Sequence, residues 1–244
     1  MITKQGIEEI LQTLSKTRKV FWSEADFQHA FAWELQAKYN QAKIYLERRY
    51  EPSNEADIVY YIDIWVELDG KCYPIELKYK TAELKISPNS AQIGLSKTTK
   101  LKAQGAQDTG RYDFLKDIQR IENIKSHENN VFGNGFAIIL TNDFHYYKNP
   151  NNKLNTEVKT LDRQFRIHEG CLDKTGELQW VNKKGKFFSY QNDDEQNHWT
   201  KNYPPLRLKG TYKMIWNQYS EIVADDATKD ENIFKYCVCE ISKP

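Results

Sequence analysis

Two segments near the start of the chain carry hydrophobic residues at helical spacing. In residues 4 to 16 the apolar side chains recur every three or four positions, which predicts a short amphipathic helix with one buried stripe. A second helix is predicted over residues 24 to about 39. Ser23 is suited to be its N-cap, and Trp22 and Phe27 occupy the two positions of a hydrophobic staple, which fixes how the chain enters the helix.

The period of the pattern changes to two between residues 58 and 80. Apolar and polar residues alternate on both sides of Asp69-Gly70, a dipeptide that is typical of the two-residue type I′ turn. The pattern therefore predicts two antiparallel strands joined by this turn.

A further helix and a buried strand complete the predicted core. Residues 114 to 124 show a helical stripe after a polar connection of residues 81 to 109, and residues 136 to 140 form an apolar run typical of a strand buried on both faces. We predict an α/β (α+β) core over residues 1 to 145, in which helices flank a central mixed sheet that contains the antiparallel hairpin. Residues 146 to 244 are predicted to form a β-rich extension packed on this core.

The composition of the 244-residue chain narrows the class of protein. Lys and Arg number 35 against 34 Asp and Glu, which argues against a protein that coats nucleic acid or an acidic membrane with its whole surface. The longest apolar run, residues 136 to 140, is far shorter than the roughly 20 residues of a membrane helix, and the N-terminus lacks a signal-peptide pattern. We expect a cytoplasmic protein without a membrane partner, whose four cysteines are reduced.

The predicted hairpin places two carboxylates side by side. If Asp69 and Gly70 form the whole turn, Asp63 faces Glu76 in a non-hydrogen-bonded pair with Cα atoms about 4.5 Å apart, and Lys78 projects from the same face. Facing like charges destabilise a sheet unless a cation lies between them. Two acidic oxygens beside an ammonium group suit Mg²⁺, with Mn²⁺ as a substitute, and such an ion activates water for phosphodiester hydrolysis.

The residues of this hairpin resemble the signature of a known family. The segment YIDIWVELDGKCYPIELKYK, in which Asp63 is followed after twelve residues by Glu76-Leu77-Lys78, is similar to the metal-binding signature of the PD-(D/E)XK nuclease superfamily. The order of elements over residues 20 to 145 is also similar to the core of that superfamily, which includes restriction endonucleases, resolvases and repair exonucleases. The segment departs from the signature at Ile62, where many members have proline.

The resemblance implies a restriction-endonuclease-like fold and a role for each residue. Asp63, Glu76 and the carbonyl oxygen of Leu77 would bind Mg²⁺, Lys78 would position or activate the attacking water, and Glu24 would assist from the first core helix. It implies a Mg²⁺-dependent phosphodiesterase, expected to be an endonuclease that acts on DNA rather than RNA in restriction, defence or repair.

Positive charge follows the hairpin along the chain. Residues 71 to 102 hold seven Lys and two Glu. Two interpretations explain this excess of positive charge equally well. The segment could contact phosphates, or it could be a solvated connection. The candidate nucleic-acid contacts are Lys97, Lys100, Lys102, Gln104 and Gln28.

Other interpretations of the same residues stay open. The fold could bind nucleic acid or a partner protein without cutting it, and a sugar hydrolase is a more distant option because Lys78 adjoins the carboxylates. Glu24 lies in a first helical turn, where the helix dipole favours an acid in any case. Asp113, Asp117 and Arg120 share one helix face and are interpreted as an intrahelical ion pair. The sequence does not fix the oligomeric state, and a homodimer is among the candidates.

Overall fold

The computed structural model describes residues 1–52, 59–88, 97–149, 160–182, 184–191, 193–222 and 232–243. The helices are α1 (Lys4–Thr17), α2 (Glu24–Lys38), α3 (Gln107–His127), α4 (Phe144–Tyr147) and α5 (Asp193–Gln196). The strands are β1 (Lys43–Tyr50), β2 (Tyr60–Leu68), β3 (Lys71–Lys80), β4 (Leu84–Ile86), β5 (Thr99–Leu101), β6 (Gly135–Thr141), β7 (Lys174–Leu178), β8 (Leu206–Tyr212), β9 (Trp216–Glu221) and β10 (Ile233–Ile241).

Six strands form one mixed sheet in the order β1-β2-β3-β6-β10-β9. β3 and β6 run parallel, whereas the other neighbouring strands of this sheet are antiparallel. The connection between β3 and β6 contains α3, which packs on one face of the sheet, and α1 and α2 cover the other face. The chain is therefore a mixed α/β protein whose central sheet is flanked by helices, as the sequence predicted.

The predicted hairpin is confirmed together with its register near the turn. Asp69 and Gly70 have φ values of 52° and 69°, and a type I′ turn requires positive φ at both residues. The paired register of β2 and β3 runs from the residues that flank this turn to the pair Ile64–Ile75, so the predicted pairing of Asp63 with Glu76 is not part of it. β1, which the sequence reasoning did not predict, pairs with the other side of β2.

The first two predicted helices are confirmed to within one residue at each end. The Ser23 side chain caps α2 by accepting a hydrogen bond from the Asp26 amide at 3.0 Å, and Asp26 accepts one from the Trp22 amide at 3.0 Å. α3 begins at Gln107, inside the segment predicted as a polar connection. Its apolar stripe is obvious only from Phe114 onwards, so the hydrophobic pattern missed the first two turns.

The last third of the chain completes the central sheet. β10 pairs with β6, and β9 pairs with β10, so the central sheet contains strands from both sides of the predicted boundary at residue 145. β7 and β8 form a separate two-stranded sheet on the α3 side. The sequence predicted a β-rich extension but not that its strands join the central sheet, because pairing between distant segments leaves no local signal.

All four cysteines are free, as the sequence predicted. Among the described residues, no helix combines the length and the apolar character needed to cross a membrane.

Candidate functional site

The predicted site lies in the middle of the sheet, where β3 faces α3. Glu76 and Lys78 project towards α3, because the alternate residues Ile75, Leu77 and Tyr79 belong to the core beneath α1 and α2. Glu76 is 1% exposed, and the side chain of Lys78 is 16% exposed. A carboxylate and an ammonium group are thus held largely out of water on one strand.

Asp63 lies where the strand pairing of β2 is interrupted. The register with β3 ends at Ile64, and the register with β1 omits the position of Glu47, which has a φ of 50°. The Asp63 side chain replaces a backbone partner, since its Oδ2 accepts a hydrogen bond from the Leu77 amide at 2.6 Å. This bond directs the carboxyl group of Asp63 towards β3, where its charge is close enough to raise the pKa of Glu76.

The first two turns of α2 hold both strands of the hairpin. Glu24 Oε2 accepts a hydrogen bond from the Tyr79 amide at 2.8 Å, which brings this carboxylate to β3. Gln28 Nε2 donates to the Asp63 carbonyl and to Glu47 Oε1, both at 2.7 Å. Gln28 is only 6% exposed, so the expectation that it contacts nucleic acid is corrected: it supports the backbone of Asp63.

α3 adds two residues whose role the sequence reasoning missed. Arg120 Nη1 lies 3.3 Å from Asp117 Oδ1, as the intrahelical interpretation expected, but it also lies 2.7 Å from Glu76 Oε1. Asp117 Oδ2 lies 2.8 Å from Lys78 Nζ. These four side chains form a continuous ion-pair chain, Glu76–Arg120–Asp117–Lys78. Their helical spacing was visible in the sequence, but only the packing of α3 on β3 shows what that face covers.

The two carboxyl groups of the hairpin have raised pKa values. Burial raises the pKa of Asp63 to about 6, although Lys78 and the hydrogen bond from Leu77 oppose the shift. Burial and then the charge of Asp117 raise the pKa of Glu76 well above its usual range, in spite of Arg120. Since both groups resist ionisation in this setting, an additional cation would stabilise their charged forms.

Lys78 is held in its protonated form. Burial alone would lower the pKa of its ammonium group, but the carboxylates of Asp117, Glu24 and Asp63 outweigh the burial and raise it. Its Nζ also donates a hydrogen bond to the Leu77 carbonyl at 3.2 Å. Lys78 can therefore orient a water molecule or neutralise developing negative charge, but it is not a proton acceptor at neutral pH.

The oxygen atoms of this site have the chemistry that a hard divalent cation needs. Glu76 Oε2 is buried and has no hydrogen-bond partner among the described residues, so it is an acceptor that a cation would satisfy. Glu76 Oε1 and the Leu77 carbonyl are held by Arg120 and Lys78 instead. Within the described part of the chain, no three His, Cys, Asp or Glu side chains are already arranged as a metal site. Suitable ligands are present, and cationic side chains of the protein occupy two of them.

Four of the five predicted nucleic-acid contacts lie on or next to a small hairpin that follows β3. β4 and β5 pair antiparallel, and the ends of the hairpin are tied together because Thr81 Oγ1 donates to the Lys102 carbonyl at 2.7 Å and the Gln104 amide donates to the Thr81 carbonyl at 2.8 Å. Lys100 pairs with Glu83 at 2.7 Å. The exposed candidates on this hairpin are Lys97, Lys100, Lys102 and Gln104.

Comparisons with known protein families, with curated protein sequences and with solved structures found no match for this chain.

Proposed function

We propose that this protein is a metal-dependent nuclease with a restriction-endonuclease-like core, which hydrolyses the phosphodiester bonds of DNA. One observation carries the proposal. Asp63 and Glu76 meet on adjacent strands, both with raised pKa values, beside the protonated Lys78 and within reach of Glu24. A buried group of acids and one lysine with this arrangement is costly for the fold alone, and a divalent cation would stabilise it.

Each side chain has a distinct role in this proposal. Asp63, Glu76 and the Leu77 carbonyl would hold Mg²⁺ or Mn²⁺, which when bound supplies a Lewis acid and lowers the pKa of a water molecule. Lys78 orients the attacking water and offsets negative charge that develops on the phosphate. Glu24 joins α2 to β3 through the Tyr79 amide, and its charge helps to raise the pKa of Lys78.

The surface beside the site supports an anionic polymer as substrate. The hairpin of β4 and β5 begins after the C-terminal end of β3, and its lysines are exposed. A local cationic surface of this kind binds phosphates without sequence preference. The net charge of the whole chain, +1, is compatible with such a surface because it averages over basic and acidic segments.

The test compares cleavage of plasmid DNA, linear DNA and RNA by the wild type, Asp63→Ala and Lys78→Ala in Mg²⁺, Mn²⁺ or EDTA. We expect cleavage of DNA by the wild type in either metal and none in EDTA. Both variants should lose cleavage by a factor of about 100 or more and should keep the circular dichroism spectrum of the wild type. Glu67→Ala is the matched control, because Glu67 is a carboxylate of the same strand that pairs with Arg48 away from the site. Full activity in both site variants would contradict the proposal.

A second candidate, a binding module that does not cut, is favoured by the ion-pair chain of Glu76, Arg120, Asp117 and Lys78. This chain satisfies both cations and one oxygen of Glu76 within the protein. If the wild type binds nucleic acid equally well with and without EDTA and shows no turnover in Mg²⁺ or Mn²⁺, the binding module is the correct function.

A further inference from the structure

Arg120 occupies a cation's position on Glu76. Its Nη1 lies 2.7 Å from Glu76 Oε1, and its side chain is 23% exposed, whereas that of Glu76 is 1% exposed. A guanidinium group this close to a buried carboxylate neutralises it as a bound ion would. The other oxygen of Glu76 has no hydrogen-bond partner among the described residues, so the guanidinium satisfies only half of the carboxylate.

We propose that Arg120 is a positioning residue of the metal site, an internal counter-ion that competes with a divalent cation for the negative charge of Glu76. This inference rests on the proposed function, because it requires that Glu76 is a metal ligand. It assigns to α3 a part in metal binding that the signature of the hairpin does not contain.

The surroundings of Arg120 allow its guanidinium to leave Glu76 without losing every partner. Asp117 Oδ1 lies 3.3 Å from Nη1, and the ring of Tyr60 lies 5.6 Å from Cζ. Both contacts belong to side chains that are not proposed ligands. A displaced guanidinium therefore keeps an ion pair and a cation–π contact near the metal, and its planar fork of donors is then available to a phosphate group.

The same geometry makes the two cations compete. An ion on Glu76 would lie within a few ångströms of the guanidinium, where like charges repel strongly because the site is screened little by water. Removal of the charge on Arg120 should therefore strengthen metal binding. If Arg120 were only a structural partner of Glu76, its removal would weaken metal binding or leave it unchanged.

The experiment measures Mn²⁺ affinity without nucleic acid, by calorimetric titration and by the rise of the unfolding temperature with Mn²⁺. Arg120→Gln keeps a donor for Glu76 but removes the charge, and we expect it to bind Mn²⁺ about tenfold more tightly than the wild type. Arg120→Lys keeps the charge and should remain close to the wild type. Arg48→Gln is the matched control, since Arg48 forms a 2.6 Å ion pair with Glu67 on the same sheet.

The outcomes separate this inference from the proposed function. If the wild type binds Mn²⁺ and Arg120→Gln binds it equally or more weakly, Arg120 is not a competing counter-ion, and the nuclease proposal stands. If neither protein binds Mn²⁺, the metal site fails and the inference fails with it. In a Glu76→Gln background, Arg120→Gln should give no gain in Mn²⁺ affinity over Glu76→Gln alone, which locates the competition at Glu76. Arg120→Met, which fills the space of the stem, repeats the measurement if Arg120→Gln does not fold.

Discussion

At the level of single residues, burial decides the chemistry of the carboxyl groups. Asp63 is close to Lys78 and accepts a hydrogen bond from the Leu77 amide, and both contacts favour its ionised form. The loss of hydration nevertheless outweighs them, so the pKa of Asp63 rises to about 6. The same carboxylate that would serve a metal ion is therefore a source of instability in the protein without one.

Asp63→Asn should stabilise the protein at neutral pH. The pKa of Asp63 is higher in the folded protein than the ordinary value of 3.8. Its protonation therefore stabilises the fold fully below about pH 4, and this contribution is lost as the pH rises through about 6. At pH 7 the free energy of unfolding of Asp63→Asn should exceed that of the wild type by on the order of 2 kcal/mol. Urea denaturation between pH 4 and 7 measures how this difference shrinks as the pH falls.

Glu67→Gln is the control for this prediction, with the opposite sign. The hydrogen bond from Arg48 lowers the pKa of Glu67, so its ionised form stabilises the fold and the variant should gain no stability at pH 7. Mn²⁺ added at pH 7 should narrow the difference between the wild type and Asp63→Asn, because a metal bound to ionised Asp63 stabilises only the wild type. Equal stability of both proteins from pH 4 to 7 would show that Asp63 is not buried in this way.

At the level of elements, the N-terminus of α2 determines where the two strands of the site lie. Ser23 caps the helix, Glu24 in its first turn binds the Tyr79 amide, and Gln28 one turn later binds the Asp63 carbonyl. The contacts of Glu24 and Gln28 hold the helix to both strands of the hairpin. Loosening of the first turn of α2 should therefore shift the backbone of β2 and β3, and with it the carboxyl groups of Asp63 and Glu76.

Ser23→Ala and Thr3→Ala form a matched pair of substitutions. Each serine or threonine caps a helix, since Thr3 accepts a hydrogen bond from the Gly6 amide at 3.2 Å in α1. Each loss should cost about 1 kcal/mol of stability. Only Ser23→Ala should also weaken Mn²⁺ binding several-fold, because α2 carries Glu24 and Gln28, whereas none of the site residues named above lies on α1. Unfolding in urea measures the loss of stability, and Mn²⁺ titration measures the affinity. Equal Mn²⁺ affinities of the two variants would show that the start of α2 does not support the site.

At the level of the whole molecule, strand β10 from the last third of the chain is an internal strand of the central sheet. β10 lies between β6 and β9, and its apolar residues contribute to the cores on both faces of the sheet. β6, buried along its whole length, would otherwise expose one edge. We therefore expect that residues 1 to 145 depend on β10 for a stable sheet.

A fragment of residues 1 to 145 should fail to fold. It lacks β9 and β10, so β6 loses its antiparallel partner and both hydrophobic cores lose part of their covering. We expect aggregation or a non-cooperative thermal transition by circular dichroism. Co-expression with residues 146 to 244 should recover a soluble complex with a cooperative transition. A monomeric fragment 1 to 145 that unfolds cooperatively would show that the core is independent of the C-terminal strands.

Much of the fold could be predicted from local signals in the sequence. The capped start of α2, the type I′ turn at Asp69-Gly70 and the apolar run of β6 each depend on neighbouring residues, and the structure confirms all three. β1 escaped prediction because its residues are half-exposed at a sheet edge, and the pairing of β10 with β6 escaped because the two strands are distant in the sequence.

The sequence by itself determined that Asp63 and Glu76 lie on adjacent strands, because a two-residue turn fixes the register of the hairpin. Only the tertiary structure decided what surrounds them. Arg120 and Asp117 reach Glu76 and Lys78 because α3 packs across β3, and this packing depends on the whole set of buried contacts rather than on any local pattern. The net charge around Glu76 and Lys78 is therefore a property of the folded chain.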